Sequence, residues 1–191
     1  MSDPGLLVSS AGSVMKTVRF SRNGGAGHGQ TLTEFALVVP VLFMLIMGVL
    51  DGALLMFSVG TARYAAAEGS RVAAQLGNVS SADGQIVAKV RSTVGATQLF
   101  AVSEVDVYRL TQDGLGNLTP DLSHYNRYRL DGTAIGPISW PGASRNVSSG
   151  SSDFLGLTIH YSYTWKAGFF SPLGPVNTVA ESYVRLEPQS Y

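Results

Sequence analysis

GQTLTEFALVVPVLFMLIMGVLDGALLMFSVG, residues 29–60, decides the fold of this chain. After Glu34 every residue from 35 to 50 is apolar, glycine or proline, and beyond the single charge of Asp51 the run resumes through Phe57 to Gly60. A helix that crosses the hydrocarbon core of a bilayer needs about 20 mostly apolar residues at about 1.5 Å each. Residues 35–60 supply that length. A helix buried in a soluble domain of this size would carry one apolar stripe, whereas this one is apolar on all sides. The segment reads as a membrane helix.

The flanks give it a direction. Lys16, Arg19 and Arg22 precede it with only Asp3 opposing, while Arg63, Glu68 and Arg71 on the far side mix both signs. The positive-inside rule then keeps residues 1–29 in the cytoplasm and exports the larger C-terminal part. A cleavable secretory signal is the competing reading, because Ala65, Ala66 and Ala67 resemble a small-residue cleavage site. Its apolar core would run about 7 to 15 residues and end near the cut. Here the run is longer and the alanines lie well past it, in sequence suited to a helix.

Three polar or helix-breaking positions in this segment carry the chemistry. Pro40 removes a backbone hydrogen bond and bends a helix, which membrane helices tolerate when neighbours satisfy the freed carbonyl. Asp51 would cost about 2.5 to 3.5 kcal/mol at the centre of a membrane helix, so it is expected to face another polypeptide or to lie near the interface. Glu34 is inexpensive at the membrane edge but costly inside an apolar assembly, unless an amine beside it offsets the charge. Cleavage after Gly29 would create such an amine at Gln30.

Gly29, then Glu34, Phe35, Ala36, Leu37, Val38, Val39 and Pro40, the Asp51 region, and the later run Ala65, Ala66, Ala67, Glu68, Gly69, Ser70 and Arg71 resemble the TadE-like family. These are minor pseudopilins of the tight-adherence systems that build Flp, or type IVb, pili. Residues 180–185 also look similar; the remainder of the head is matched only loosely. The resemblance implies processing by a prepilin peptidase between Gly29 and Gln30, with Glu34 becoming the fifth residue of the mature chain. It implies that Glu34 pairs with the N-terminal amine of a neighbouring subunit and sets the stagger between helices. Phe35 stands where major pilins usually carry tyrosine, and the chain is much longer than a major Flp subunit. Both departures favour an accessory or minor subunit.

The alanine-rich continuation from Thr61, with Arg63, Glu68 and Arg71, predicts a helical stalk that ends near Gly77 and Asn78. Glu68 and Arg71 stand three apart and can pair, at a few tenths of a kcal/mol for a solvated face. Ser80, Ser81 and Asp83 are possible caps for a short helix through Ile86, Val87, Val90 and Val94. Alternation then predicts strands around Val102 to Leu110, Tyr125 to Leu130, Phe154 to Phe170 and Val176 to Leu186, with Val179 and Val184 as inward candidates. The first two are separated by a turn through Asp113, Gly114, Gly116 and Asn117. The expected fold class is α+β and pilin-like: a long N-terminal transmembrane and stalk helix, then a small antiparallel sheet head with a short helix on one face. The expected organisation is a basic leader over 1–29, a helix over 30–76 with its membrane part at about 35–60, and an exported head over 77–191. Residues 131–153, rich in Gly, Pro, Ser and Asn, read as a long loop that is disordered or carries contacts.

The composition closes other routes. Thirteen basic against thirteen acidic residues leave no electrostatic footprint for nucleic acid. The absence of cysteine excludes disulfides, thiolate metal sites and a cysteine nucleophile. Gly24, Gly25, Gly27 and Gly29 lack the preceding strand and following lysine of a phosphate loop. His28, His124 and His160 show no paired metal spacing. Residues 113–117 and 131–132 lack the repeated acids of a calcium loop. No Gly-x-Ser-x-Gly elbow occurs. No enzyme activity and no cofactor are expected.

The expected function is structural: a pilus-assembly subunit in the bacterial inner membrane, acting through lateral helix packing. Gly48, Gly52 and Gly60 follow a roughly four-residue rhythm that allows close helix approach in lipid. The expected partners are the membrane, a prepilin peptidase, other pilin or pseudopilin subunits and the pilus assembly platform. The alternative is a membrane-anchored exported binding module or adhesin that never enters a pilus.

Overall fold

The computed structural model describes residues 26–187. The leader with Lys16, Arg19 and Arg22 lies outside the described residues, apart from the backbone of residues 26–29. Six main elements follow in order: α1 (Ala26–Leu76), α2 (Ala82–Val94), β1 (Phe100–Gln112), β2 (Leu118–Tyr128), β3 (Phe154–Tyr163) and β4 (Val176–Arg185). The fold class is α+β, as the sequence predicts. The chain divides into two compact units, one up to Val41 and one from Leu42 onward.

In the first unit the described side chains belong to α1 and are almost all exposed, among them Leu32, Phe35, Leu37, Val38 and Val41. Pro40 lies inside the helix without ending it.

The second unit holds the head. Its strands form one antiparallel sheet in the order β2-β1-β3-β4. Alternation along β3 sends Leu155, Leu157, Ile159, Tyr161 and Tyr163 to the buried face, as period-two geometry requires. Val105 and Val107 of β1 pair with Ile159 and Leu157. Together they meet Ile86, Val87, Val90 and Val94 of α2 and a line of small residues on α1, Ala62, Ala65, Ala66 and Ala73. The small side chains let the helix backbone approach the sheet. At Gly69 a Cβ would lie 2.5 Å from Leu157 Cδ2 and 3.0 Å from Val90 Cγ2, so this glycine marks the meeting of α1, α2 and β3. The helix ends where Gly77 adopts a left-handed φ of 51° and donates to the Ala73 carbonyl at 3.1 Å.

Several boundaries differ from the sequence expectation. Helix α1 begins at Ala26, running back through Gly29 and Gly27. Strand β2 begins at Leu118, directly after the turn, and not at Tyr125. A register shift, from Tyr108 opposite Tyr125 to Arg109 opposite Asp121, takes up residues 122–124 and masks the alternation. Strand β3 stops at Tyr163 instead of continuing to Phe170. In β4, Val179 points outward, because pairing with β3 sets Ala180 opposite Ile159 and Val179 opposite His160.

Residues 131–153 form a loop with built contacts. Trp140 and Arg145 are buried in it. Asp83 is a buried acceptor, not the expected cap: it receives Tyr128 Oη at 2.7 Å, Asn126 Nδ2 at 2.9 Å and an ion pair from Arg145. Asn126 also donates to the Trp140 carbonyl at 2.6 Å and accepts the Trp140 N–H at 2.8 Å. Arg145 lies over the Trp140 ring, 4.5 Å from its centroid. Breaking a buried charge pair from one side costs roughly 3 to 5 kcal/mol, so Arg145 ties its part of this Gly- and Ser-rich stretch to α2.

Candidate functional site

The residues singled out from the sequence fall on one helix, in three groups. Gly29 and Gln30 lie near the start of α1, in backbone assigned as helix. Glu34, Phe35 and Pro40 follow in the same unit with exposed side chains. An exposed helix of this composition is a surface built to be covered by lipid or by another apolar helix. Thr31–Leu76 meets the length and composition of a membrane span, and the chain fits a single-pass anchor.

Asp51 is the second group, and the polypeptide it faces is its own head. It is fully buried against its own head. Its carboxylate accepts the backbone N–H of Ala167 at 2.7 Å, Lys166 at 3.1 Å and Phe170 at 3.4 Å. Three donors from one turn are what make a desolvated carboxylate tolerable. Strand β3 therefore stops at Tyr163 because the chain turns to bind Asp51. Nearby, Gly48 contacts the rings of Phe169 and Phe170: a Cβ there would lie 3.6 and 3.7 Å from them.

Glu68, Gly69 and Arg71 form the third group. Glu68 bonds Arg71 at 3.1 Å and also Lys89 of α2 at 3.3 Å, so it joins the two helices as well as its own turn. Gly69 is the close-approach point described above, and the Ser70 hydroxyl donates to the Ala66 carbonyl at 3.0 Å. The run of residues 65–71 is thus the seam between helix and head. Gly52 and Gly60 have open space where a side chain would be.

A polar cluster on the outer face of the sheet escaped the sequence reading. Glu104 and Asp106 alternate on β1, His160 stands opposite Glu104 on β3, and Tyr125 and Arg127 approach from β2. They line a cavity of about 600 Å³ together with Leu122, Ile135 and Pro137. Asp106 is buried; its Oδ2 accepts from Tyr125 Oη and contacts His160 Nε2 at 2.7 Å. Its Oδ1 is buried without a hydrogen-bond partner among the described residues. Burial, followed by the hydrogen bond and charge of Asp106, raises the Glu104 pKa against the opposing pull of Arg127 and His160. Burial and the bond to Asp106 likewise push Tyr125 up. The only sequence signal was the Glu-x-Asp spacing on a strand. Among the described residues no group of three or more His, Asp or Glu is placed to hold a metal ion.

Fold and site together define a helix-anchored protein with a small α+β head seated on the later turns of the same helix. Residues 29–71 match the family model described as TadE-like protein. That stretch is therefore TadE-like, as the motifs suggested, and it covers all three groups of site residues. The match implies a protein associated with the Tad pilus. No curated protein and no solved structure gives a significant match to the chain.

Proposed function

We propose that this chain is a minor pseudopilin of the tight-adherence (Flp, type IVb) pilus system, a structural subunit that assists assembly and turns over no substrate. One observation carries the reading: the TadE-like segment coincides with a helix whose large apolar side chains are exposed. In this reading the basic leader stays in the cytoplasm and the head lies in the periplasm or beyond. A prepilin peptidase cuts between Gly29 and Gln30. The new amine of Gln30 then gives Glu34 of a neighbouring subunit a counter-charge as the helices pack, with Phe35, Pro40 and the open faces of Gly52 and Gly60 at the contact.

The test is the N terminus of the protein recovered from bacterial membranes. A start at Gln30 supports the reading. A start after Ala67 would replace it with a secretory signal, and an intact leader would leave a plain anchor. In the same cells Glu34→Ala is expected to block pilus assembly while leaving the head folded.

A second reading, the membrane-anchored binding module or adhesin, draws on the cavity lined by Glu104, Asp106, Tyr125, Arg127 and His160. It requires that substitutions in this cavity abolish surface attachment while filaments still form.

A further inference from the structure

We propose that the β3–β4 connection, residues 164–175, is a second membrane-contacting element, one that seats its aromatic and apolar side chains in the lipid headgroup interface beside the helix at residues 48–51. The inference rests on the reading of α1 as a membrane anchor and adds a lipid-binding surface contributed by the head.

The connection reads TWKAGFFSPLGP; it carries one charge, Lys166, and no acid. It is a built structure. Asp51 fixes the N–H groups of Lys166, Ala167 and Phe170. Ser171–Leu173 forms a 3-10 turn, and Trp165 Nε1 donates to the Gly174 carbonyl at 2.7 Å. From Tyr163 the rings follow one another: Tyr163 edge to face with Trp165 at 5.5 Å, Trp165 tilted against Phe170 at 5.0 Å, and Phe170 edge to face with Phe169 at 4.8 Å. This line of rings ends at Gly48 of the helix.

The line does not end in a core. Phe169 is 42% exposed and Leu173 73%. In the same unit the helix surface leading up to Gly48 exposes Leu42, Phe43, Met44, Leu45 and Ile46, and just past it Val49 and Leu50. At Gly48 the exposed apolar surface of the helix therefore meets Phe169 of the loop, and an exposed apolar patch of this kind marks a membrane or protein contact.

The chemistry selects the occupant. A Trp, two Phe and a Leu with a neighbouring Lys and no carboxylate is the composition of interfacial anchors, in which rings sit at headgroup depth and the ammonium reaches the phosphates. Three backbone N–H groups that lipid cannot satisfy, those of Lys166, Ala167 and Phe170, are taken by Asp51. Continuity with the anchor helix argues for lipid over a protein partner. The bilayer boundary then falls near Asp51, at the end of the uncharged run 35–50, which shortens the membrane part from the 35–60 expected from the sequence.

The full chain carries two tryptophans, Trp140 and Trp165, and no cysteine. Trp140→Phe protein is reconstituted into phosphatidylcholine vesicles with or without brominated acyl chains, and flotation with the vesicles is checked first. The expected result is flotation together with loss of Trp165 emission in the brominated vesicles, and little quenching by aqueous acrylamide. Should Trp140→Phe fail to fold, a spin label on Leu173→Cys gives the same answer, with greater broadening by oxygen than by a water-soluble nickel chelate. Flotation without bromine quenching would overturn the proposal while sparing the anchor. In that outcome, acrylamide access would place the loop in water, and protection from both quenchers would place it against protein. Failure to float would remove the anchor reading and this proposal together.

Discussion

Between residues 42 and 50, helix α1 exposes Leu42, Phe43, Met44, Leu45, Ile46, Val49 and Leu50, whereas between 58 and 74 it buries Ser58, Ala62, Ala65, Ala66, Ser70, Ala73 and Ala74. The usual relation of hydrophobicity to burial is inverted along a single helix. In the first stretch, size and apolarity serve contact with an apolar surrounding, so the residues face outward. In the second, what matters is how near a sheet and a second helix can come, so the side chains are small and face inward. Asp51 stands at the change, turned toward its own head.

The sharpest way to break this comparison is at Asp51. Hydrogen bonds to a charged group are worth about 1.5 to 3 kcal/mol each, and three N–H groups lose their acceptor together in Asp51→Ala. The expected loss of head stability is about 3 kcal/mol, below the simple sum because two of the bonds are long, at 3.1 and 3.4 Å, and because the variant no longer desolvates a carboxylate; it is read as a lowered denaturation midpoint in detergent micelles. Asp51→Asn, which keeps one carbonyl oxygen, should fall between the two. An unchanged midpoint in the alanine variant would mean that the head does not depend on this junction.

Next in size is a sign reversal between two glycines. Gly69→Ala drives a Cβ into Leu157 and Val90 and is expected to cost about 1 to 3 kcal/mol. Gly52→Ala meets nothing within 4 Å and should gain roughly 0.5 to 1 kcal/mol of helix stability. Equal effects from thermal unfolding of the two variants would erase the distinction between the stretches.

A smaller effect is expected for Glu68→Gln. Its ion pairs to Arg71 and Lys89 are partly exposed, so roughly 0.2 to 1 kcal/mol should be lost, and less at high salt.

The smallest concerns acid. Asp121 is held well below the ordinary carboxylate range, first by the Ser123 hydroxyl and then by Arg109, and Asp113 and Asp131 are lowered by turn hydrogen bonds. Because these folded pKa values are depressed, their contribution is present above the ordinary value of 3.8 and is lost as pH falls below it. Residues 42–50 carry no titratable group. Acid should therefore weaken the near-ultraviolet signal of the head before the far-ultraviolet signal of the anchor helix, and Asp121→Asn should flatten the pH dependence below 3.8.

Much of this was legible in the residues. The apolar run, the Gly77 stop, the spacing of Ile86, Val87, Val90 and Val94 and the parity of Leu155 to Tyr163 each report a local preference or a simple period. What escaped has a common cause. Val179 and Val184 have opposite parity, and only the register with β3 decides which one is buried. The composition of residues 131–153 left disorder and contacts both open, because Asp83 lies 62 positions from Arg145 and nothing local signals their pairing. The Glu104 and Asp106 cavity required three strands to converge.

By itself the sequence determined that this chain has one long apolar helix and an α+β head, because length, hydropathy and period are properties of neighbouring residues. Its TadE-like motif was equally local. The tertiary structure alone decided that Asp51 binds the β3–β4 turn and that residues 65–71 form the seam to the head. Both depend on contacts between distant residues: Asp51 with Ala167, 116 positions apart, and Gly69 with Leu157. A lone acid in an apolar run states the cost of burial; only the folded chain supplies the donors that offset it.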